Sequence, residues 1–226
     1  MFLTSLLLLG LTVCVPPKVS SEYQDHKKEF VEKIEKTTVA LIGINESGSI
    51  TPYCSGVWVS EDKILTAQHC INKGGSLSID ESEIVILFQD FKDQEKLARL
   101  ATVTASDSDN DLALIKAANP PKDHPVAQVV KNEIWDGQKV AIVGHTSGLW
   151  WSYSEGVVSS TRIDVGKFSK LLQISSPAWF GNSGGGAFDE NGNLVGVCSW
   201  IMVKSPMVTF FIHQDVIKEF LDKNLR

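Results

Sequence analysis

The feature that most restricts the fold of this chain is a series of short runs rich in β-branched residues, six before and six after a segment that no strand or helix can cross. That segment is Asn119–Pro125 (NPPKDHP), whose prolines lack a backbone N–H donor and so break regular structure. Short runs bounded by turn residues predict strands. Helical spacing of apolar residues predicts one helix over Glu22–Lys36 and another over Gln214–Arg226.

The pattern therefore predicts an all-β protein of two antiparallel six-stranded β-barrels, with an N-terminal helix and a C-terminal helix. The predicted strands of the first barrel are Thr37–Asn45, Tyr53–Ser60, Lys63–Ala67, Glu83–Phe88, Ala98–Ala105 and Asp111–Ala117. Those of the second barrel are Lys139–Gly144, Glu155–Thr161, Lys170–Ser176, Gly185–Asp189, Leu194–Trp200 and Met207–His213.

The charge balance argues against nucleic acid as a partner. Lys and Arg number 21 against 27 Asp and Glu, which gives a net charge of −6 without a long basic block. The longest apolar stretch, Phe2–Val15, is shorter than the roughly 18 residues that cross a bilayer, so no integral membrane span is expected.

The N-terminal apolar stretch is typical of a signal peptide, because it is short and ends at two prolines, although no Lys or Arg precedes it. Val19 and Ser21 fill the small-residue positions of a cleavage site, which predicts residues 1–21 as the signal peptide and a secreted or periplasmic protein. The alternatives are a buried N-terminal segment and lipidation of Cys14. After cleavage three cysteines remain, and an odd number in an exported protein implies one pair and one leftover thiol.

Three motifs carry the candidate chemistry. They are Leu65–Cys70 (LTAQHC) at the end of a predicted strand, Asn110–Lys116 (NDLALIK) and Gly181–Ala187 (GNSGGGA). Their order of His, Asp and Ser resembles the chymotrypsin-like serine proteases, and the likeness runs from about Thr37 to the C-terminus. The GNSGG stretch also matches the nucleophile elbow of α/β-hydrolases, but that fold needs its acid and histidine after the serine and a helix next.

The resemblance implies a role for each of these residues. Ser183 would be the nucleophile, His69 the general base and then acid, and Asp111 the residue that orients the histidine. The backbone N–H groups of Gly181 and Ser183 would form the oxyanion hole. This chemistry needs no cofactor and no metal, and the acidic run Asp107–Asp111 lacks the glycine and the closing acid of a calcium loop.

The resemblance also places a disulfide between Cys54 and Cys70, beside the histidine, and leaves Cys198 as a small buried residue. The segment Val140–Asp164 resembles the Deg-type (high-temperature-requirement) proteases. Asn182 stands where trypsin-type zymogens carry the aspartate that pairs with a newly cut N-terminus, so activation by that route is not expected.

The same resemblance outlines a specificity pocket without a charged residue, which predicts cleavage after small uncharged side chains. The predicted lining consists of Pro177 at the base and Cys198, Ser199, Trp200, Ile201 and Met207 on the walls. His213 is either a further pocket residue or a histidine at a strand end. His26, His124 and His145 are predicted to lie on the surface.

Together these features predict a serine endopeptidase that hydrolyses protein or peptide substrates through an acyl-enzyme. Residues 22–125 would form the N-terminal helix and first barrel, and residues 126–226 the second barrel and C-terminal helix. The alternatives are a Deg-type assembly that combines protein quality-control proteolysis with chaperone action, and a catalytically silent peptide-binding pseudoprotease. The sequence leaves the oligomeric state open.

Overall fold

A computed structural model describes residues 21–44, 47–71, 84–90, 95–165, 168–202, 205 and 207–225. Apart from Ser21, the predicted signal peptide lies outside the described residues. Helix α1, Ser21–Thr37, leads directly into the first strand. Within the described part of the chain, neither helix is long and apolar enough to cross a membrane.

The first half of the chain forms a closed antiparallel barrel in which the strands follow the order β1-β2-β3-β6-β5-β4. A cluster of buried side chains that includes Trp58, Ile64 and Ile86 fills its interior. The strands are β1 (Thr38–Ile44), β2 (Ile50–Trp58), β3 (Lys63–Ala67), β4 (Ile84–Asp90), β5 (Glu95–Asp107) and β6 (Leu112–Ala117).

The second half repeats this architecture in a closed barrel of order β10-β11-β12-β9-β8-β7. Val140, Leu172 and Phe211 belong to its buried interior. The strands are β7 (Lys139–Gly144), β8 (Ser152–Val165), β9 (Phe168–Ser175), β10 (Gly186–Phe188), β11 (Leu194–Ile201) and β12 (Thr209–His213), and helix α2 (Gln214–Asn224) follows.

A third apolar cluster joins the two barrels and includes Ile34 of α1, Leu65 of β3 and Phe188 of β10. Both helices reinforce this junction. α1 packs on β1 and β4, and its Lys33 donates to a carbonyl of the second barrel; α2 packs on β11 and β12 and also reaches β5 and β6. The ends of β3, β6 and β11 therefore meet where the barrels face each other.

The predicted fold class is confirmed, and each predicted element is present in its predicted order. β5 and β8 are longer than predicted, because their β-branched centres continue into polar residues that remain paired in the ladder. Both strands contain irregularities in register, such as that between Val103 and Ala105, which let a long strand bend around a barrel. Asn119–Pro125 is neither helix nor strand, as predicted.

Candidate active site

His69 lies on a short 3-10 helix, Gln68–Cys70, that begins directly after β3. β3 pairs with β6, and β6 begins one residue after Asp111, so the pairing brings the histidine and the aspartate together. The backbone amide of Gln68 donates to the Asp111 carbonyl at 3.0 Å and fixes this arrangement. The His69 side chain is 46% exposed. Its ring is thus anchored near the barrel and open to solvent.

The histidine ring and the carboxylate are in direct contact. His69 Nδ1 lies 3.0 Å from Asp111 Oδ1 and 2.9 Å from Oδ2, and the His69 backbone amide donates to Oδ1 at 2.9 Å. A carboxylate only accepts hydrogen bonds, so Nδ1 carries a proton. In the neutral ring the lone pair is then on Nε2, which is the arrangement a general base needs.

Asp111 is buried, at 4% exposure, and is surrounded by donors. Ser199 Oγ, from β11 of the second barrel, donates to Oδ2. Burial raises the pKa of Asp111, but the hydrogen bonds from His69 and Ser199 outweigh it and hold that pKa below its ordinary value. The carboxylate therefore stays ionised and can stabilise a protonated His69 during a reaction.

Ser183 lies on a tight loop whose path requires glycine. Gly181 has a φ of +99° and Gly184 a φ of +82°, values that side-chain-bearing residues rarely adopt. A Cβ on Gly184 would lie 2.1 Å from the Ser55 carbonyl oxygen, so the loop packs directly against β2. The Ser55 amide donates to the Ser183 carbonyl at 2.8 Å, and Cys70 Sγ lies 3.6 Å from the same oxygen.

These contacts place the serine backbone beside the residue that follows His69. The Ser183 side chain is partly exposed. Among the hydrogen bonds of the described residues, none joins the Ser183 hydroxyl to His69. In proteins without substrate such catalytic hydrogen bonds are often long and tighten only in the complex.

Two amides of this loop are available to a ligand. The neighbouring amides are engaged: Asn182 N donates to the Trp179 carbonyl at 3.1 Å and Gly184 N to the Cys198 carbonyl at 2.7 Å. No backbone hydrogen bond within the described chain uses the amides of Gly181 or Ser183. A pair of uncommitted N–H groups beside a serine can bind the negative oxygen of a tetrahedral intermediate.

The residues predicted to line the specificity pocket divide into two groups. Pro177 is exposed, Trp200 and Met207 are 42% and 52% exposed, and Ile201 is half-buried. The Cys198 and Ser199 side chains are buried instead. Ser199 points at Asp111, and Cys198 packs in the second barrel as a free thiol, where burial raises its pKa to about 12. Of the residues predicted to line the pocket, those with exposed or half-buried side chains are therefore apolar.

Cys54 and Cys70 form a disulfide in the structure, with their Cα atoms 6.1 Å apart. Their sulfur atoms and a His69 ring nitrogen lie within 4.8 Å of one another. Two bonded sulfurs are not thiolates and do not ligate a metal as thiolates do. The disulfide ties the middle of β2 to the 3-10 helix that carries His69.

The histidines other than His69 differ from one another. The prediction that His145 lies on the surface is wrong: it is fully buried, because Trp151 covers its ring with centroids 5.0 Å apart. His124 is half-buried against Trp58, which also differs from the prediction, and His26 is exposed. His213 ends β12 and caps α2, where its Nδ1 accepts from the Asp215 amide at 3.1 Å.

Sequence reasoning missed one contact of this site and the burial of a histidine next to it. The sequence places Ser199 on the pocket wall; a serine inside the apolar run of β11 signals a buried hydrogen-bond partner but does not identify that partner as Asp111. The burial of His145 left no such signal, because it depends on how the later residues Trp150 and Trp151 fold back.

Comparison with known proteins finds serine endoproteases that are similar to this chain. A probable periplasmic serine endoprotease DegP-like from Rhizobium meliloti is 26% identical over 178 residues, 76% of this chain and 33% of that protein. The corresponding protein of Bartonella henselae is 31% identical over 179 residues, again 76% and 33%. The chain thus spans about a third of the length of the curated relatives it matches.

Solved structures agree on the fold. Deg5 superposes with a TM-score of 0.69 at 22% identity, covering 90% of this chain and 95% of that one. The HtrA-type protease AlgW with a decapeptide gives a TM-score of 0.71 at 20% identity, covering 86% of this chain and 66% of that one.

Residues 54–197 match the trypsin-like peptidase domain family, and this span contains His69, Asp111 and Ser183. The chain therefore belongs to the trypsin-like peptidase domain family, and the similar proteins include Deg-type serine endoproteases.

Proposed function

We propose that the protein is a serine endopeptidase that hydrolyses peptide bonds with Ser183, His69 and Asp111. The observation that carries the proposal is the Asp111–His69 pair, which lies beside a loop with a partly exposed serine and two uncommitted amides. Each group needed for acyl transfer is present at one junction between the barrels.

The geometry supports a two-step reaction. The Ser183 hydroxyl turns towards His69 Nε2, gives up its proton and attacks the substrate carbonyl, while the amides of Gly181 and Ser183 hold the oxyanion. His69 then donates the proton to the departing amine and leaves an acyl-enzyme. Water, activated by the same nitrogen, releases the acid product. Each oxyanion donor typically lowers the barrier by about 3–4 kcal/mol.

Specificity for a small uncharged residue before the scissile bond follows from the exposed lining. Pro177, Trp200 and Met207 offer apolar surface and no ionised group that could form an ion pair with a charged side chain. Burying an unpaired charge there would be costly. A substrate with Val, Ala, Ile or Leu at this position meets no such penalty.

The names of the relatives support a proposal for the cellular location of this protein. They are named periplasmic serine endoproteases, and AlgW was solved with a peptide. We accordingly propose removal of residues 1–21, a secreted or periplasmic protein, and protein or peptide substrates. Residues 22–125 and 126–226 would be the two structural halves, each with one barrel.

Cleavage of a proteome-derived peptide library tests this function. Wild-type protein should cleave after Val, Ala, Ile or Leu, and Ser183→Ala should lower turnover by about 10⁶-fold. Ser60→Ala, at the turn before β3, is the matched control and should keep full activity. Equal activity in Ser183→Ala and wild type would refute the assignment, and dominant cleavage after Arg, Lys or Glu would refute the proposed pocket. Size-exclusion chromatography of the active fraction would show whether it acts as an assembly.

A further inference from the structure

A segment outside the three catalytic motifs holds the loop that supplies the oxyanion amides. This holding segment is His145–Ser147, directly after β7. Ser147 N donates to the Phe180 carbonyl at 2.7 Å, and Thr146 Oγ1 donates to Asn182 Oδ1 at 2.9 Å. Its third contact with the loop starts from the buried ring of His145 and runs through the hydroxyl of Ser55.

Ser55 lies between the histidine and the loop. His145 Nδ1 is 2.9 Å from Ser55 Oγ, and Ser55 Oγ is 2.7 Å from the carbonyl oxygen of Gly181. A carbonyl oxygen can only accept, so the single hydroxyl proton of Ser55 points to Gly181. Ser55 Oγ then accepts from His145, and the proton between these two residues is on His145 Nδ1.

The ring of His145 is fixed as well as buried. It has no exposed surface and packs edge-on against Trp151 and Trp150, with centroids 5.0 and 6.0 Å away. Trp151 is itself anchored, since its Nε1 donates to the Thr38 carbonyl at 3.1 Å. The imidazole is thus a rigid donor, and reorienting it would require movement of the packed tryptophans.

Ser55 controls the loop at two points. Its hydroxyl holds the Gly181 carbonyl, and its amide holds the Ser183 carbonyl at 2.8 Å. These carbonyls flank the Asn182–Ser183 peptide, which carries one oxyanion amide. The Phe180 carbonyl held by Ser147 belongs to the peptide that carries the other amide, that of Gly181. Because a trans peptide is planar, fixing its carbonyl directs its N–H to the opposite side.

We propose that His145 is a positioning residue for the oxyanion hole, acting through Ser55 on the carbonyl of Gly181. The inference rests on the proposed function, since an oxyanion hole matters only if Ser183 attacks a carbonyl. His145 contacts no reacting atom; it sets the orientation of amides that do. Its effect therefore appears in the transition state, where the negative oxygen forms, and not in substrate binding.

NMR of ¹⁵N-histidine-labelled wild-type protein tests the proton assignment directly. The His145 ring, identified by the resonances lost in His145→Asn, should carry its proton on Nδ1. The amide resonances of Gly181 and Ser183 should shift in Ser55→Ala and in His145→Leu. A proton on Nε2 alone, or unchanged amide resonances, would overturn the proposal whether or not the protein is a peptidase.

Kinetics of matched variants test the consequence. His145→Leu and Ser55→Ala should each lower kcat by about 10–100-fold with KM unchanged within about twofold, somewhat less than deletion of a full oxyanion donor. The double variant should lose no more than either single variant. His145→Asn, whose side-chain N–H can reach the position of Nδ1, should recover most of the activity.

His124→Leu is the control, because it removes another histidine packed on a tryptophan, in the linker between the barrels. It should lower the melting temperature without changing kcat. Additive losses in the double variant, or equal losses in His145→Asn and His145→Leu, would show that the histidine does not act through its N–H on Ser55 and would overturn the proposal. A wild-type protein that cleaves no peptide would refute the proposed function, and the NMR result would still decide the positioning role.

Discussion

Replacing Ser199 by alanine removes one donor from the buried Asp111 carboxylate and leaves the two donors of His69. A hydrogen bond to a charged group contributes about 1.5–3 kcal/mol, so Ser199→Ala should lower the free energy of unfolding by that amount at pH 7. Because this hydrogen bond helps to hold the pKa of Asp111 below its ordinary value, that pKa should rise in Ser199→Ala.

The loss of unfolding free energy in Ser199→Ala should depend on pH. The direction of that dependence follows from the direction in which the pKa of Asp111 is shifted. The pKa of Asp111 in the folded protein lies below its ordinary value, so this group stabilises the fold at pH values above the unfolded pKa. That contribution disappears as the pH falls through the folded pKa and the carboxylate is protonated. The difference between wild type and Ser199→Ala should accordingly be full at pH 7 and should shrink as the pH falls through the folded pKa of Asp111.

Urea unfolding at several pH values measures this difference, and ¹³C NMR of the Asp111 carboxyl measures the pKa. Ser176→Ala is the matched control, because Ser176 is also fully buried but its hydroxyl pairs with the neutral hydroxyl of Ser154 at 3.0 Å. Ser176→Ala should lower the free energy of unfolding by about 1 kcal/mol at every pH. A pH-independent loss in Ser199→Ala, or an unchanged Asp111 pKa, would refute the reasoning.

Three further changes test the serine loop, the disulfide and the cap of helix α2. Gly184→Ala should lower the free energy of unfolding by about 2–5 kcal/mol in urea titration, because a Cβ would lie 2.1 Å from the Ser55 carbonyl at a φ of +82°; wild-type stability would contradict the described loop. Reduction of Cys54–Cys70 opens a link with a sequence separation of 16 and should cost about 3 kcal/mol, seen as a lower melting temperature; identical melting with and without reductant would argue against the disulfide. His213→Ala should lose about 1 kcal/mol of helix capping that His213→Asn keeps. Burial lowers the pKa of His213, so the fold takes up fewer protons than the unfolded chain, and acidification from about pH 7 to 5 should destabilise wild type more than His213→Asn. Equal acid sensitivity of the two would contradict this.

The fold was predictable because its pattern is local. Strands of a barrel bury alternate side chains, so β-branched runs separated by turn residues mark each strand without knowledge of its partners. The ends of β5 and β8 could not be predicted from the sequence, because the polar residues there stay in the ladder only where a neighbouring strand pairs with them. Strand pairing is a property of the whole barrel and leaves little trace in either segment alone.

In the site, too, the residues that lie in local motifs were predictable and those that depend on packing between distant segments were not. His69, Asp111 and Ser183 lie in motifs whose residue types fit one chemistry, and the order of the motifs excluded the main rival fold. His145 lies in none of these motifs, and its contact with Ser55 joins residues 90 positions apart in sequence. A histidine after a strand is an ordinary surface residue unless packing encloses it, and the enclosure by Trp150 and Trp151 becomes visible only in three dimensions.

Covalent labelling tests the central claim that Ser183 is activated by His69. Wild-type protein would be treated with a phosphonofluoridate, which reacts with activated serines, and the adduct located by mass spectrometry of its peptides. We expect one adduct, on Ser183, formed far more slowly in His69→Ala and absent in Ser183→Ala. An adduct on another serine, or equal labelling of wild type and His69→Ala, would contradict the account.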